Sequence, residues 1–276
     1  MATTLKSTKP SEKYRWLGSI PNMRAWGTGR VAKGLRSEAY DVVNEKYEST
    51  LEVDRDEIDD DQTGGIRVRI GEMAIRAAAH KDFLIAQLLI NGASSGFNSY
   101  DGVSFFNDAH VRGASGNQDN KLAPTATDAN NPTVAEFRSA LRAAMGTIMS
   151  FKDDTGLPLS ISATGLVCLV PPSMYLTALE AVNATIVAST TNVMQGAARV
   201  IAYPWLSTAT KWYLLKTDGV VRPFVFQDRR MVEFKALAEG SSEEFLREKY
   251  LYGVTARYAM TYGEPLYAVE NTFTGA

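Results

Sequence analysis

Between Leu51 and Gly64 the chain reads LEVDRDEIDDDQTG and carries Glu52, Asp54, Asp56, Glu57, Asp59, Asp60 and Asp61. Carboxylates at that density supply the hard oxygen donors a calcium ion takes, or the partners needed for acid–base work. Spacing decides against the ion. A calcium loop places acidic or amide ligands at alternating positions, then a glycine, then a glutamate six residues on, so that one turn of chain wraps the metal. Asp54 and Asp56 begin such a series, but Ile58 stands where the third ligand belongs and no glycine follows it. The alternative is architectural: acids gathered ahead of a helix, whose positive N-terminal end favours them.

Other stretches imitate enzyme motifs. GTGRVA, residues Gly27–Ala32, fits the loose dinucleotide pattern G-x-G-x-x-A, but that loop must leave a buried strand and open a helix to face a pyrophosphate. PNMRAW before it is no such strand, and the residues after it read as β. GASSG, Gly92–Gly96, fits the G-x-S-x-G nucleophile elbow, which sits between strand and helix, whereas here a helix precedes it. Ser94 would also need a histidine, and only His80 and His110 exist. His110, with Asp101 or Asp108 to orient it, reads as a hydrogen-bonded loop residue. Cys168, the single cysteine, lies in GLVCLVPP among strand formers and reads as a packing residue. No catalytic, cofactor-binding or metal-ligating residue is therefore expected, and the chain reads as a non-enzyme.

The elements around these residues belong to a globular protein. The 276 residues are 45% hydrophobic, enough to bury a sizeable core. No apolar run approaches the roughly 20 residues that cross a bilayer, and MATTLKSTKPSEK lacks the apolar centre of a signal peptide, so no membrane partner is expected. A net charge of −2 argues against tight sequence-independent nucleic-acid binding and leaves only loose contact with DNA.

Residues 1–22 read as an extended arm whose Tyr14, Trp16, Leu17 and Ile20 need a surface to cover them. From Arg30 to Ile58 the pattern is that of a long two-faced ribbon. Val43, Tyr47, Leu51 and Val53 fall on one parity and Asn44, Lys46, Glu48, Thr50, Glu52 and Asp54 on the other. RVAKGLR is expected to pair with it through a turn near Ser37. Strands in compact domains average five or six residues, so a ribbon of this length needs neighbours. After Gly64–Gly65 a long helix runs to Asn91–Gly92 with Ile66, Ile70, Met73, Ala77, Leu84 and Leu88 as its stripe, and HKDF is a possible break. Loop signals fill Ala93–Pro132, where flexibility is expected. Thr133 and Glu136 form a capping box for a helix with Val134, Phe137, Leu141, Ala144 and Ile148 inward. LVCLV is a short buried strand, Ser173 the expected N-cap of the next helix, and the remaining third alternates strand and turn. The class is α+β.

The order of these pieces resembles the Mu-like major head proteins of tailed phages, the gpT type. The resemblance rests on Trp16, Leu17, Gly18, Pro21, Met23, Arg24, Trp26, Gly27 and Arg30, then Asn44, Tyr47, Glu48 and Thr50. It continues through Arg55, Asp56, Ile58, Asp60 and Asp61 and ends at Tyr100, Asp101, Gly102, Phe105 and Phe106. The resemblance implies the Hong Kong 97-type phage capsid fold. It divides the chain into an N-terminal arm (1–22), an extended β-hairpin loop (23–58), a peripheral domain with a long spine helix (59–155), an axial domain (156–221) and return strands of the peripheral domain (222–276). The family pattern also has a further stretch ahead of the arm.

The function so implied is that of a major capsid protein, self-assembling into hexamers and pentamers of an icosahedral head around double-stranded DNA. The implied location is the virion capsid, assembled in the bacterial host cytoplasm. Expected partners are other copies of the chain, portal, scaffold and protease proteins, and a decoration protein. The expected subunit-interface residues are Trp16, Arg24, Trp26, Arg30, Lys33, Arg36, Tyr47, Glu48, Asp56, Asp60 and Asp61, with the basic ribbon residues suited to acids of an adjacent subunit. A nanocompartment shell and, from a different class, a serine hydrolase built on Ser94 are the alternatives.

Overall fold

The structure, a computed structural model, describes residues 1–14, 40–61, 63–187 and 190–275. The first strands are β1 (Ala2–Lys6), β2 (Ser11–Tyr14), β3 (Tyr40–Val43) and β4 (Glu45–Asp54), followed by α1 (Arg55–Asp59) and α2 (Gly65–Asn91). Four two-residue strands then mark a long connection, β5 (His110–Val111), β6 (Asn117–Gln118), β7 (Lys121–Leu122) and β8 (Thr125–Ala126). After these come α3 (Val134–Ser150), β9 (Leu166–Val170), α4 (Tyr175–Asn183), β10 (Ile186–Val187), β11 (Thr190–Thr191), β12 (Arg199–Ala202) and β13 (Lys211–Lys216). The chain closes with β14 (Phe224–Leu237), α5 (Ser242–Arg247), β15 (Lys249–Tyr262), β16 (Ala268–Thr272) and β17 (Thr274–Gly275).

Two sheets organise the molecule. A mixed five-stranded sheet in the order β12-β9-β13-β16-β7 is covered on both faces, which explains why LVCLV and KWYLLK are apolar without alternation. Leu166, Cys168, Val170, Trp212, Leu214 and Val269 meet α3 and α4 on one side, while Val167, Leu169, Tyr213 and Leu215 meet Phe105, Phe106 and the last turns of α2 on the other. Each large side chain so buried contributes on the order of 1.5–3 kcal/mol. Cys168 is wholly buried and its thiol is pushed up in pKa by that burial, as befits a packing residue. The expected capping box is present at Thr133 and Glu136, whose carboxyl is drawn down to about 2 by the amides and hydroxyls of Thr127 and Thr133.

The second sheet has the order β1-β14-β15-β4 and lies beside α2. Its inner end is buried through Phe224, Val225, Phe226 and Gln227, but from Arg229 to Leu237 every residue of β14 is exposed. Beyond the core the sheet continues as a ribbon of β14, β15 and β4 that ends in α5.

Several expectations are corrected. At the start of the chain β1 pairs in parallel with β14, and Tyr14, one of the aromatics that need a surface, donates from its hydroxyl to Gln227 Oε1 at 2.6 Å. The ribbon stops at Asp54, since Arg55–Asp59 is helical where the pattern carried strand to Ile58. Its strand β4 pairs with β15 over Glu45–Asp54, and β3 pairs with β2; the expected pairing of β with RVAKGLR lies outside the described residues. Parity also breaks at Asn44, whose buried Nδ2 donates to Ser7 Oγ at 2.9 Å and to the Lys9 carbonyl at 3.0 Å. Val42 is therefore buried and Val43 exposed, the reverse of the simple alternation. HKDF does not break α2, which is one helix of 27 residues. Ser173 does not cap α4: Pro171 precedes a short 3-10 turn at Pro172–Met174 that leads into the helix.

Candidate assembly surface

The acidic run builds two helix starts. Asp54 caps α1 by accepting from the Asp56 amide. Asp61 reaches over the turn to α2: its Oδ1 accepts from the amides of Thr63 at 3.2 Å and Gly65 at 3.0 Å, and its Oδ2 from that of Ile66 at 3.0 Å. The first amides of a helix have no internal partners, so a carboxylate here satisfies them and complements the dipole. These bonds, led by those from Ile66 and Gly65, hold the Asp61 carboxyl below its usual pKa. Gly64 supplies the turn, with φ +69° in the left-handed region. Asp56, Glu57, Asp59 and Asp60 stay exposed. Among the described residues no group of three or more His, Cys, Asp and Glu is placed to hold a metal ion.

The long connection before α3 is packed rather than loose. His110 is fully buried, with Nδ1 2.6 Å from Asp101 Oδ2 and Nε2 3.2 Å from the Phe105 carbonyl. Both ring nitrogens are thereby occupied, and neither is left as a base for Ser94, which sits exposed on the turn behind α2. Arg112 Nη2 donates to Glu264 Oε1 at 2.5 Å, Tyr100 donates to Glu264 Oε2 at 2.9 Å, and the guanidinium lies 4.9 Å from the centre of the Tyr100 ring. Burial disfavours the Arg112 charge, but the Glu264 carboxylate more than restores it, so its pKa lies above the ordinary value. Asn120, with no exposed surface, donates to the carbonyls of Phe105 at 2.9 Å and Pro265 at 3.0 Å. Buried polar groups with their partners in place hold a segment that lacks regular structure. The flexibility expected across Ala93–Pro132 gives way to these anchors.

Where β4 and β15 pass beneath α2, a cleft of about 630 Å³ opens. Met73, Ala77, Leu51 and Val254 give it an apolar floor, and Lys46, Glu48, Arg69, Glu72 and Arg76 stand along it. Tyr47 closes one end, its ring centre 4.5 Å from that of His80 and 4.8 Å from that of Tyr258, while His80 Nδ1 lies 2.8 Å from the Tyr258 hydroxyl. Burial lowers the His80 pKa. The outer ribbon carries large exposed apolar side chains: Met231, Phe234 and Leu237 on β14, and Phe245 and Leu246 on α5.

The structure brings Tyr47 and Glu48 together in the cleft and sets Asp56 on α1 and Asp60 and Asp61 between α1 and α2. Trp16, Arg24, Trp26, Arg30, Lys33 and Arg36 lie outside the described residues. Sequence reasoning missed Phe245 and Leu246. Their signal was present in SSEEFLRE, a capped and acidic helix start followed by two adjacent apolar residues and no further apolar residue within the helix to make a stripe.

Comparison with known proteins supplies the family. The family described as Mu-like prophage major head subunit gpT matches residues 1–137, 133–206 and 207–273. The chain belongs to this Mu-like major head subunit family. The Mu-like prophage FluMu major head subunit of Haemophilus influenzae is 23% identical over 266 residues, which are 95% of this chain and 62% of that protein. The major capsid protein of Escherichia phage Mu is 32% identical over 110 residues, 40% of this chain and 35% of that one. Among solved structures, a chain of the procapsid of bacteriophage JBD30 superposes with a TM-score of 0.54 at 25% identity, covering 98% of this chain and 66% of the other. The chain thus spans less than two thirds of the length of these relatives. The fold of this chain is α+β, and no helix among the described residues is long and apolar enough to cross a membrane.

Proposed function

We propose that this chain is the shell-forming part of a phage or prophage head, a non-enzymatic subunit of the Hong Kong 97 type that assembles into hexamers and pentamers around double-stranded DNA. Residues 59–155 with 222–276 serve as the peripheral domain in this reading, and residues 156–221 as the axial domain. Residues 1–22 are the arm and residues 23–58 the extended loop. The observation that carries the reading is the outer ribbon, where Met231, Phe234, Leu237, Phe245 and Leu246 stand in solvent at the end of a sheet whose other end is the core. Large apolar side chains left in solvent in this way are what stable subunit interfaces of ~2,000–5,000 Å² cover. Burial across such boundaries contributes on the order of 25 cal/mol per Å² of apolar area. Trp16, Arg24, Trp26, Arg30, Lys33, Arg36, Tyr47, Glu48, Asp56, Asp60 and Asp61 are the proposed contacts between copies. Portal, scaffold, protease and decoration proteins are the further partners, with loose contact to the packaged DNA and assembly in the host cytoplasm.

The test is removal of residues 30–40 with a short Gly-Ser closure. The described residues of the two cores on either face of the five-stranded sheet come from other parts of the chain, so circular dichroism is expected to show a folded chain with a cooperative melt, and sedimentation to show small species only. Full-size particles from this deletion would contradict the proposed role of the loop.

A further inference from the structure

The cleft under α2 and the tip of the β14–α5–β15 hairpin are complementary, and both are open. At the tip Phe245 is 88% and Leu246 72% exposed, so α5 turns its apolar side chains outward. They are held there: Glu244 accepts from the Ser242-side turn at the Gly240 amide and from the Tyr250 hydroxyl, at 2.5 and 3.0 Å, and lies 3.7 Å from Arg55. Around them stand Glu239, Glu243, Glu244 and Glu248, with Arg247, Arg55 beside Glu244, and Lys249, itself engaged by Glu52, as the cations. Glu243 pairs with Arg247, and among the described residues no cation pairs with Glu239 or Glu248. The cleft reverses this pattern. Its floor of Met73, Ala77, Leu51 and Val254 is apolar, Arg69 is engaged by Glu72 at 3.2 Å, and among the described residues Lys46 and Arg76 have no carboxylate partner. At about 630 Å³ it lies within the ~300–1,000 Å³ of pockets that take up compact groups.

We infer that the Phe245–Leu246 tip of one copy seats in the α2–β4–β15 cleft of a neighbouring copy, with Glu239 and Glu248 meeting Lys46 and Arg76. This rests on the shell reading above and gives it a named contact. The tip's own cleft is out of reach, because α5 is tied back to Arg55 and Tyr250 at the far end of the hairpin. Knob and receptor are different surfaces, so the contact is head-to-tail and repeats around a ring, as the subunits of a hexamer or pentamer require. A nucleic-acid strand fits the cleft less well, because the apolar floor of Met73, Ala77, Leu51 and Val254 offers a phosphate backbone no partner. Charge complementarity at the rim sets register and encounter, and the buried aromatic anchor supplies the hold.

The experiment uses the full chain in two forms. In the first, Ala77→Cys and Leu246→Cys are combined and assembled particles are treated with a bis-maleimide. Cys168 is wholly buried and inert, so a denaturing gel is expected to show a ladder of covalent multimers that neither single variant gives. In the second, Phe245→Ser with Leu246→Ser is expected to keep the parent's melting curve, both residues being exposed, while particle yield by sedimentation falls at least tenfold. Particles without a ladder, or a serine variant that assembles at the parent's yield, overturn the contact and leave the shell reading intact. A parent chain that forms no particle with or without its natural partners overturns the shell reading and the contact with it.

Discussion

Replacing Glu264 by Gln tests whether the long connection before α3 is a fixed part of the body. The substitution keeps the shape of the side chain and an amide oxygen to accept from Arg112 and from the Leu266 amide, which now reach Glu264 Oε1 at 2.5 and 3.2 Å. What it removes is charge. The Arg112 side chain is 8% exposed and that of Glu264 9%, so the guanidinium would remain buried without the carboxylate that pairs with it, Asp101 being the lesser negative charge left nearby. Breaking one partner of a buried pair costs about 3–5 kcal/mol, against a total stability of roughly 5–15 kcal/mol for an ordinary domain. With a urea slope of about 3 kcal/mol/M, the unfolding midpoint should fall by roughly 1–2 M. Adding Arg112→Met to Glu264→Gln removes the stranded charge, so the double variant should be more stable than Glu264→Gln alone, and a double-mutant cycle should return a coupling well above 1 kcal/mol. A Glu264→Gln variant within about 1 kcal/mol of the parent, or a double variant no better than the single, would refute the reasoning.

The other predictions concern the helix start, the second buried acid and the hairpin tip. The Asp61 carboxyl is held below its ordinary value by the α2 amides, so its contribution is present above the unfolded value of 3.8 and is lost as pH falls. Asp60→Asn with Asp61→Asn should lower the melting temperature at pH 7 more than at pH 3, and calorimetry should find no stoichiometric calcium site in the parent that the pair abolishes. Glu270 has no exposed surface, and burial raises its pKa in spite of Lys211 at 3.3 Å. The sign is opposite: its contribution is present below the ordinary value of 4.5 and is lost as pH rises through the folded value. Glu270→Gln should therefore gain on the parent in denaturant titrations at pH 8 relative to pH 4. Glu248 holds φ +56° at the end of α5, a left-handed conformation that costs a residue with a Cβ about 1–2 kcal/mol. Glu248→Gly should raise the melting temperature of the isolated chain and, by removing a tip carboxylate, weaken its assembly.

Where local chemistry ruled, the sequence was legible. The Thr133–Glu136 box, the stop at Gly92, the buried LVCLV strand and the acids ahead of α2 are all decided within a few residues, and the structure has them as read. Long-range partners were not legible. Asn44 disturbs the β3–β4 alternation because its amide is claimed by Ser7 and Lys9, more than thirty positions away. Loop composition hid the rigidity of Ala93–Pro132, since Gly and Asn signal turns whether or not a buried Arg112–Glu264 pair ties those turns down. The place of His80 against Tyr47 and Tyr258 depends on β4 and β15 meeting α2, a contact no local pattern announces. Of the expected interface residues, Tyr47 and Glu48 line the cleft, whereas Phe245 and Leu246 on α5 carry no family motif.

The central claim is that this chain builds a closed shell, and electron microscopy of the purified protein, assembled alone and with its natural head partners, tests it most directly. The account predicts closed particles of uniform diameter built from rings of five and six copies, with density for the α5 tip of each copy against α2 of its neighbour. Monomers or dimers that stay dispersed under all assembly conditions, with no closed particle on the grid, would contradict it.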